Sequence, residues 1–338
     1  MKPYQTTLSV VLKRWKIRMR AKIIGTGSCV PERIVTNSDL EKMVQTSDEW
    51  IRERTGIEER RVSDENTSTS DLAVIAAQKA IKAAGIDPKV LDLIIVGTCS
   101  PDYLFPSVGC IVQDKIGAVN AAAFDVSAAC SGFNFALTAA AAFIESKTYK
   151  NILVVGADTL TKYLDWTDRG TCILFGDAAG AVVLTATEEE RGVLSSLIRA
   201  EGILGKYLIM PGGGSRDPEE KNGRFIKMDG KEVFKFAVRA LETSLKDILA
   251  QSNHSVADIN LFIPHQANSR IIDHVSKKLG LSKERVYVNL QKYGNTSAAS
   301  IPLALDEANK SGRIKEGDLV VLSGFGAGLT YGANLIKW

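Results

Sequence analysis

The chain has 338 residues, 45% of them hydrophobic and 24% charged, with a formal net charge of +3. That length points to two domains or two fused halves, and the composition to a folded globular protein without disordered tracts. So small a net charge gives no support to nucleic-acid binding, and no apolar run reaches the length of a membrane span.

Residues 1–20 carry Lys2, Lys13, Arg14, Lys16, Arg18 and Arg20 without one acid. We expect them to be a disordered tail or a non-native start, because Met19 directly precedes the first strand-like run, over 21–25. Gly25-Thr26-Gly27 lacks the third glycine of a dinucleotide fingerprint, and Val30-Pro31 follows where a helix should start, so no nicotinamide site is expected. A helix is predicted over 71–84, capped by Ser70 or Asp71 and ended by Gly85. The β-branched runs 93–96, 152–155 and 319–322 are almost wholly apolar and read as strands buried on both faces. Further helices are predicted over 133–144 and 232–250, and a strand over 260–263. Pro211-Gly212-Gly213-Gly214 lacks a following Lys-Ser or Lys-Thr and reads as a loop. The pattern is α/β, with helices covering sheets.

The order of these elements repeats. Helix 71–84 leads into strand 93–96 as helix 232–250 leads into strand 260–263, and each is followed by a strand-to-helix corner. Cys130 lies at the first corner and Asn295 at the second, 165 residues later, while Gly324 follows Gly156 by 168. Duplicated halves, 21–190 and 191–338, joined by a tight connection near 187–192, would place Cys130 and Asn295 at equivalent corners beside a pseudo-twofold axis.

Five scattered cysteines and three histidines argue against a disulfide framework or a structural metal and fit a reducing cytoplasm. Cys130 stands where Ala128-Ala129-Cys130-Ser131-Gly132 opens an apolar helix. A helix N-terminus stabilises thiolate and lowers the thiol pKa, although free cysteines are also common packing residues. Cys29, Cys99, Cys110 and Cys172 lack that setting and read as structural. His265 follows an apolar strand closed by Pro264, at the carboxyl end where α/β sheets place ligands; a capping or surface histidine is the plainer alternative. His254 and His274 fall in polar surroundings and read as solvated. Asn295 in Gly294-Asn295-Thr296-Ser297 is equally suited to an N-cap. Gly324-Phe325-Gly326-Ala327-Gly328 either brings backbone amides to a substrate oxygen or forms a tight turn.

Taken together, Ala129-Cys130-Ser131-Gly132, Ile263-Pro264-His265-Gln266-Ala267-Asn268, Gly294-Asn295-Thr296-Ser297 and Gly324-Phe325-Gly326-Ala327-Gly328 resemble the successive signatures of type III β-ketoacyl-acyl carrier protein synthases. Asp168-Arg169-Gly170-Thr171 and the segment 175–180 match as well, and the resemblance covers 21–338. It implies the thiolase fold, two βαβαβαββ halves in a five-layered αβαβα sandwich. It also implies a decarboxylating Claisen condensation of an acyl-CoA primer, acetyl-CoA being expected, with malonyl-acyl carrier protein. Cys130 would carry the acyl group, with the amides of Cys130 and Ala327 as oxyanion hole, and His265 and Asn295 would steady the enolate.

By the same resemblance Trp50 and Arg54 would sandwich the CoA adenine, with Thr55, Arg169 and Gly170 nearby. Met228, Gly230, Phe234, Ala267 and Asn268 would line the pantetheine tunnel. The carrier protein would dock on Gln266, Ala267, Asn268, Ser269, Arg270, Lys235 and Lys277, and Phe105 would close the acyl pocket of a homodimer partner. No cofactor is implied beyond the CoA thioester as substrate, and no metal. The alternatives are a condensing enzyme loading a specialised primer for a secondary metabolite, a Cys-His-Asn hydrolase of thioesters or amides, and a non-catalytic binding relative.

Overall fold

The computed structural model describes residues 19–338. The expected tail lies outside these residues, except that Arg20 already pairs with Thr187 as the first residue of a strand. Up to residue 187 the strands are β1 (Arg20–Cys29), the ribbon β2 (Ile34–Thr36) and β3 (Glu59–Arg61), β4 (Leu93–Gly97), β5 (Ala122–Val126), β6 (Asn151–Asp158) and β7 (Ala178–Thr187). They are followed by β8 (Gly192–Ala200), a second ribbon of β9 (Leu208–Ile209) and β10 (Lys227–Met228), β11 (Leu261–Pro264), β12 (Leu319–Gly326) and β13 (Thr330–Lys337). The main helices are α1 (Asp48–Thr55), α2 (Thr69–Ala84), α3 (Val108–Lys115), α4 (Gly132–Glu145), α5 (Gly230–Gln251), α6 (Ser269–Leu279) and α7 (Ser300–Lys310).

Two sheets result, ordered β1-β7-β6-β4-β5 and β11-β12-β13-β8. Alternation along their strands decides the layering, because successive side chains point to opposite faces. Leu93 and Ile95 share a core with Phe133 and Leu137 of α4 and Ile301 and Leu305 of α7. Ile94 and Val96, between them, pack instead with Leu72 and Ala76 of α2 and Val108 of α3. In the second sheet Val320 and Leu322 face the same central core, whereas Val321 faces Leu245 and Ile248 of α5. The layers are therefore α2/α3, sheet, α4/α7, sheet, α5/α6, an αβαβα sandwich. The two central helices are mostly small and apolar where they meet the sheets, as a layer buried on both sides requires.

Local signals set the ends of the elements. Helix α2 begins earlier than predicted, with Ser68 as N-cap. The Asp71 carboxylate accepts from the Ser68 amide at 2.9 Å and its hydroxyl at 2.6 Å, so Asp71 closes a capping box from inside the helix. Pairing in β11 carries on through Pro264, which sits opposite Ser323, and the His265 amide then donates to the Ser323 carbonyl at 2.8 Å. Pro264 therefore does not end the ladder. The missing amide hydrogen costs nothing on the outer side of β11, where only an isolated bridge from Phe262 to Val286 is formed.

One register relates the two sheets. Leu93 pairs with Ile152 and, 168 residues further on, Leu261 pairs with Val320. The same offset links the 3₁₀ turn Ala129–Ser131 before α4 to the turn Ser297–Ala299 before α7. Each turn opens on a residue with left-handed φ, Ala129 at 45° and Ser297 at 51°. The counterpart of Cys130 is thus Ala298. Asn295, expected opposite Cys130, lies three residues ahead of that position.

Candidate active site

Cys130, His265 and Asn295 are all buried and face a common cavity of about 80 Å³. Each arrives there from a different element: Cys130 from the turn before α4, His265 from the end of β11, Asn295 from the loop before α7. Cys130 also faces a second, wider cavity of about 380 Å³, lined by Leu160, Phe175, Leu208, Met210 and Ile226. The sulfur thus sits where a small chamber carrying His265 and Asn295 meets a wider apolar cavity.

The electrostatics of the three groups differ. Burial pushes the His265 imidazole down to about 3, so it is neutral at physiological pH. Its Nδ1 lies 2.6 Å from the Ser300 hydroxyl, and its Nε2 is buried without a partner among the described residues. The ring is braced edge-on against Phe325, with centroids 5.1 Å apart. The Asn295 carboxamide oxygen accepts the Ser297 amide at 2.9 Å. That bond fixes the orientation of the amide and leaves Nδ2 as the free donor. Asn295 Nδ2, and His265 Nε2 in the tautomer that protonates it, are therefore two neutral donors to one cavity.

Burial pushes the Cys130 thiol up to about 12, against a lowering contribution from the Ser297 hydroxyl, with the Asp158 carboxylate adding to the rise. The direction is opposite to the lowering expected of a thiol at a helix N-terminus, because burial outweighs the groups that favour ionisation. At rest the residue is a thiol. Beside it, the amides of Cys130 and Ala327 make no backbone–backbone hydrogen bond among the described residues, and the Cys130 amide faces its own sulfur. Thr330 ties their surroundings together, its hydroxyl lying 3.2 Å from the Ala128 carbonyl and 2.9 Å from that of Ala327. Close packing fixes the spacing, since a Cβ on Gly326 would stand 2.6 Å from the Cys130 nitrogen.

Met228, Gly230, Phe234, Ala267 and Asn268 line the smaller chamber with the three central residues. Asn268 also caps α6, accepting the Arg270 amide at 2.9 Å and donating to the Arg54 carbonyl at 3.0 Å. At the surface, the guanidinium of Arg169 lies 4.6 Å and that of Arg54 5.6 Å from the Trp50 ring. Gly170 is exposed next to them, its amide bound to Asp168. Thr55 is buried, and its hydroxyl is used within the fold, donating to the Ile51 carbonyl at 2.7 Å and accepting the Ile57 amide at 3.0 Å.

Arg270, Lys235 and Lys277 are exposed, and Ser269 is half-buried. Gln266 cannot belong to a docking face. It is buried, with its amide donating to the Pro264 and Tyr287 carbonyls and accepting the Asn289 amide. Phe105 is 86% exposed and reaches none of the cavity residues of its own chain.

Cys99, read from sequence as structural, lines the apolar cavity with Cys130, its sulfur 3.9 Å from the Ser297 hydroxyl. Its place just beyond the carboxyl end of β4 was the available signal. Ser297 and Asp158 were missed because their roles depend on contacts between the two halves, and Ser300 because its partner His265 arrives from a strand end far away in the chain. Asp158, fully buried, accepts from the Cys99 and Ser100 amides and from the Ala298 amide, joining the floor of the site to the second corner. Among the described residues no cluster of His, Cys, Asp or Glu is placed to hold a metal ion, and no helix is long and apolar enough to cross a membrane.

A five-layered sandwich with a buried cysteine, a neutral histidine and an asparagine at its centre defines a condensing enzyme of the thiolase fold. The family described as 3-Oxoacyl-[acyl-carrier-protein (ACP)] synthase III matches residues 124–202, and its C-terminal counterpart matches residues 249–338. The chain is 52% identical to the Beta-ketoacyl-[acyl-carrier-protein] synthase III of Caldanaerobacter subterraneus, over 95% of this chain and 98% of that one. With the protein of the same name from Natranaerobius thermophilus the identity is 55%, over 94% and 99%. The crystal structure of 3-oxoacyl-[acyl-carrier-protein] synthase III from Aquifex aeolicus superposes with a TM-score of 0.89 at 48% identity, covering 94% of this chain and 100% of that one. The chain belongs to the β-ketoacyl-[acyl-carrier-protein] synthase III family, acyltransferases that carry out the initiating condensation of fatty acid biosynthesis.

Proposed function

We propose that this chain, acting in the cytoplasm as a homodimer of two-half protomers divided near 187–192, condenses an acyl-CoA primer, acetyl-CoA first, with malonyl-acyl carrier protein. The observation that carries the reading is that His265 Nε2 is buried without a partner among the described residues, beside Asn295, whose oxygen is engaged by Ser297, in the chamber that holds Cys130.

In the first half-reaction the Cys130 sulfur attacks the thioester carbonyl, whose oxyanion is received by the amides of Cys130 and Ala327. CoA leaves as its thiol, carrying the proton the cysteine gives up, and the acyl chain lies in the apolar cavity. Malonyl-acyl carrier protein then loses carbon dioxide, and its thioester oxygen takes up enolate charge. His265 and Asn295 bind that oxygen more tightly as charge grows, each donor contributing roughly 3–4 kcal/mol. The enolate carbon attacks the acyl-cysteine, expelling the Cys130 thiolate, which takes a proton from solvent to restore the resting thiol, and releasing β-ketoacyl-acyl carrier protein. Trp50, Arg54 and Arg169 would hold the CoA nucleotide, and Arg270, Lys235 and Lys277 the acidic carrier.

The test is to incubate the protein with acetyl-CoA, locate an acetyl adduct on Cys130 by mass spectrometry, then add malonyl-acyl carrier protein. Condensation predicts an adduct stable alone and discharged as β-ketoacyl product. Release of free acetate without the malonyl donor would instead establish a hydrolase. Asn295→Ala is expected to leave acylation within about twofold while slowing decarboxylation roughly 100-fold; equal loss of both steps refutes this division of labour.

A further inference from the structure

We propose that Ser300 is a positioning residue that sets the tautomer of His265, so that the resting imidazole carries its proton on Nε2. The argument is a count of hydrogens. The Ser300 oxygen lies 2.6 Å from His265 Nδ1 and also receives the Gln266 amide, at 3.4 Å. Its one proton has a single acceptor within hydrogen-bonding distance among the described residues, and that acceptor is Nδ1. A nitrogen that accepts cannot carry the proton, so the ring proton resides on Nε2. The opposite tautomer would leave a buried hydroxyl proton without an acceptor. A loss of that kind disfavours a state by roughly tenfold or more.

The pseudo-twofold supplies a second, independent observation. Displaced by the common offset of 168, His265 and Ser300 correspond to Gly97 and Gly132. In that half the strand end and the helix start touch backbone to backbone: a Cβ on Gly97 would stand 2.6 Å from the Gly132 carbonyl carbon. The fold therefore brings these two points together in both halves. In the first the contact is closed by bare glycines; in the second an imidazole and a hydroxyl occupy it. The serine is part of a built pair rather than an incidental neighbour.

This inference rests on the proposed condensation for its catalytic meaning. With Nε2 protonated, His265 has no lone pair to offer the Cys130 proton at the cavity, and it serves the malonyl step as a donor. Loss of Ser300 should therefore weaken decarboxylation and spare acylation.

The test labels the imidazole nitrogens of the three histidines with ¹⁵N and assigns the His265 signals by their loss in His265→Ala. In the unsubstituted enzyme we expect Nδ1 at the imine position and Nε2 as a directly protonated nitrogen. In Ser300→Ala we expect the two tautomers to mix, decarboxylation of malonyl-acyl carrier protein to fall about tenfold, and acetylation of Cys130 to stay within about twofold. A protonated Nδ1 in the unsubstituted enzyme overturns the proposal even if the variant fails to fold. An unchanged tautomer in Ser300→Ala overturns it as well. Either result leaves the acyl-Cys130 test and the Asn295→Ala comparison standing, so failure here is distinguishable from failure of the condensation itself.

Discussion

His265 is costly to protonate where it stands, and that cost is linked to stability. Burial brings its pKa down to about 3 in the folded chain, whereas an unfolded histidine titrates near 6.5. Between these values the unfolded state binds a proton that the folded state refuses. The contribution is complete above about pH 6.5 and is lost as the pH falls toward 3. From pH 7.5 to 5 this group alone should lower the unfolding free energy by about 2 kcal/mol. Denaturant melts at the two pH values should show that loss, and His265→Ala should show a difference smaller by the same amount. An identical pH dependence in the variant would mean that the imidazole is more accessible to protons than its burial implies. The same neutrality suits a donor whose action is not to depend on pH across the working range.

At the scale of elements, the corner before α4 shows how strand ends and helix starts create the site together. Ala129 takes a left-handed φ of 45°, a conformation that opposes the Cβ and persists only where the surroundings fix it. The surroundings here are Gly326 on one side and the Ser131–Thr330 hydroxyl contact, at 2.8 Å, on the other. Gly326→Ala should force the Cys130 turn away from β12, at a cost of roughly 1–3 kcal/mol, and separate the Cys130 and Ala327 amides. We expect a lower melting temperature and acylation slowed at least tenfold; acylation at the original rate would show that the turn tolerates the shift. Much of this corner could be read in advance. Leu93 to Val96 announced a strand buried on both faces, and the small residues around Cys130 announced a close approach. The Ser300 contact could not be read, because nothing local to Ser300 distinguishes it from a helix-opening serine. Gln266 was misplaced for a related reason: glutamine usually seeks solvent, and only the carbonyls of Pro264 and Tyr287 and the amide of Asn289 explain its burial. Periodicity shows which face a residue takes, but not which partner a distant segment brings to it.

For the whole molecule, the first sheet ends at β5, an edge strand that no further strand among the described residues pairs with and whose Ala123 carbonyl is met only by the Cys110 thiol. Phe124 on that strand is exposed, and near it in sequence Tyr103, Leu104, Phe105 and Val119 are between 63% and 86% exposed. Single exposed apolar side chains are ordinary, but five large ones at and around an open sheet edge are a liability unless a partner covers them. In the proposed homodimer a second copy would provide such cover: related by a twofold, each β5 would pair with the other while each Phe105 left its own chain for the neighbour's apolar cavity. In this reading the cavity beside Cys130, lined by Leu160, Leu208, Met210 and Ile226, is closed only in the dimer. Phe124→Asp places a charge on the shared edge, while Phe105→Asp places one at the end of the acyl cavity and leaves the edge apolar. Sedimentation should show the unsubstituted chain as a dimer and Phe124→Asp shifted toward monomer, with condensation lost in proportion. Phe105→Asp should retain more of the dimer yet accept acetyl groups poorly at Cys130, because the charge would sit against the primer methyl. A monomeric unsubstituted chain with full turnover would disprove the shared cavity, and so would equal effects of the two substitutions on assembly and acylation.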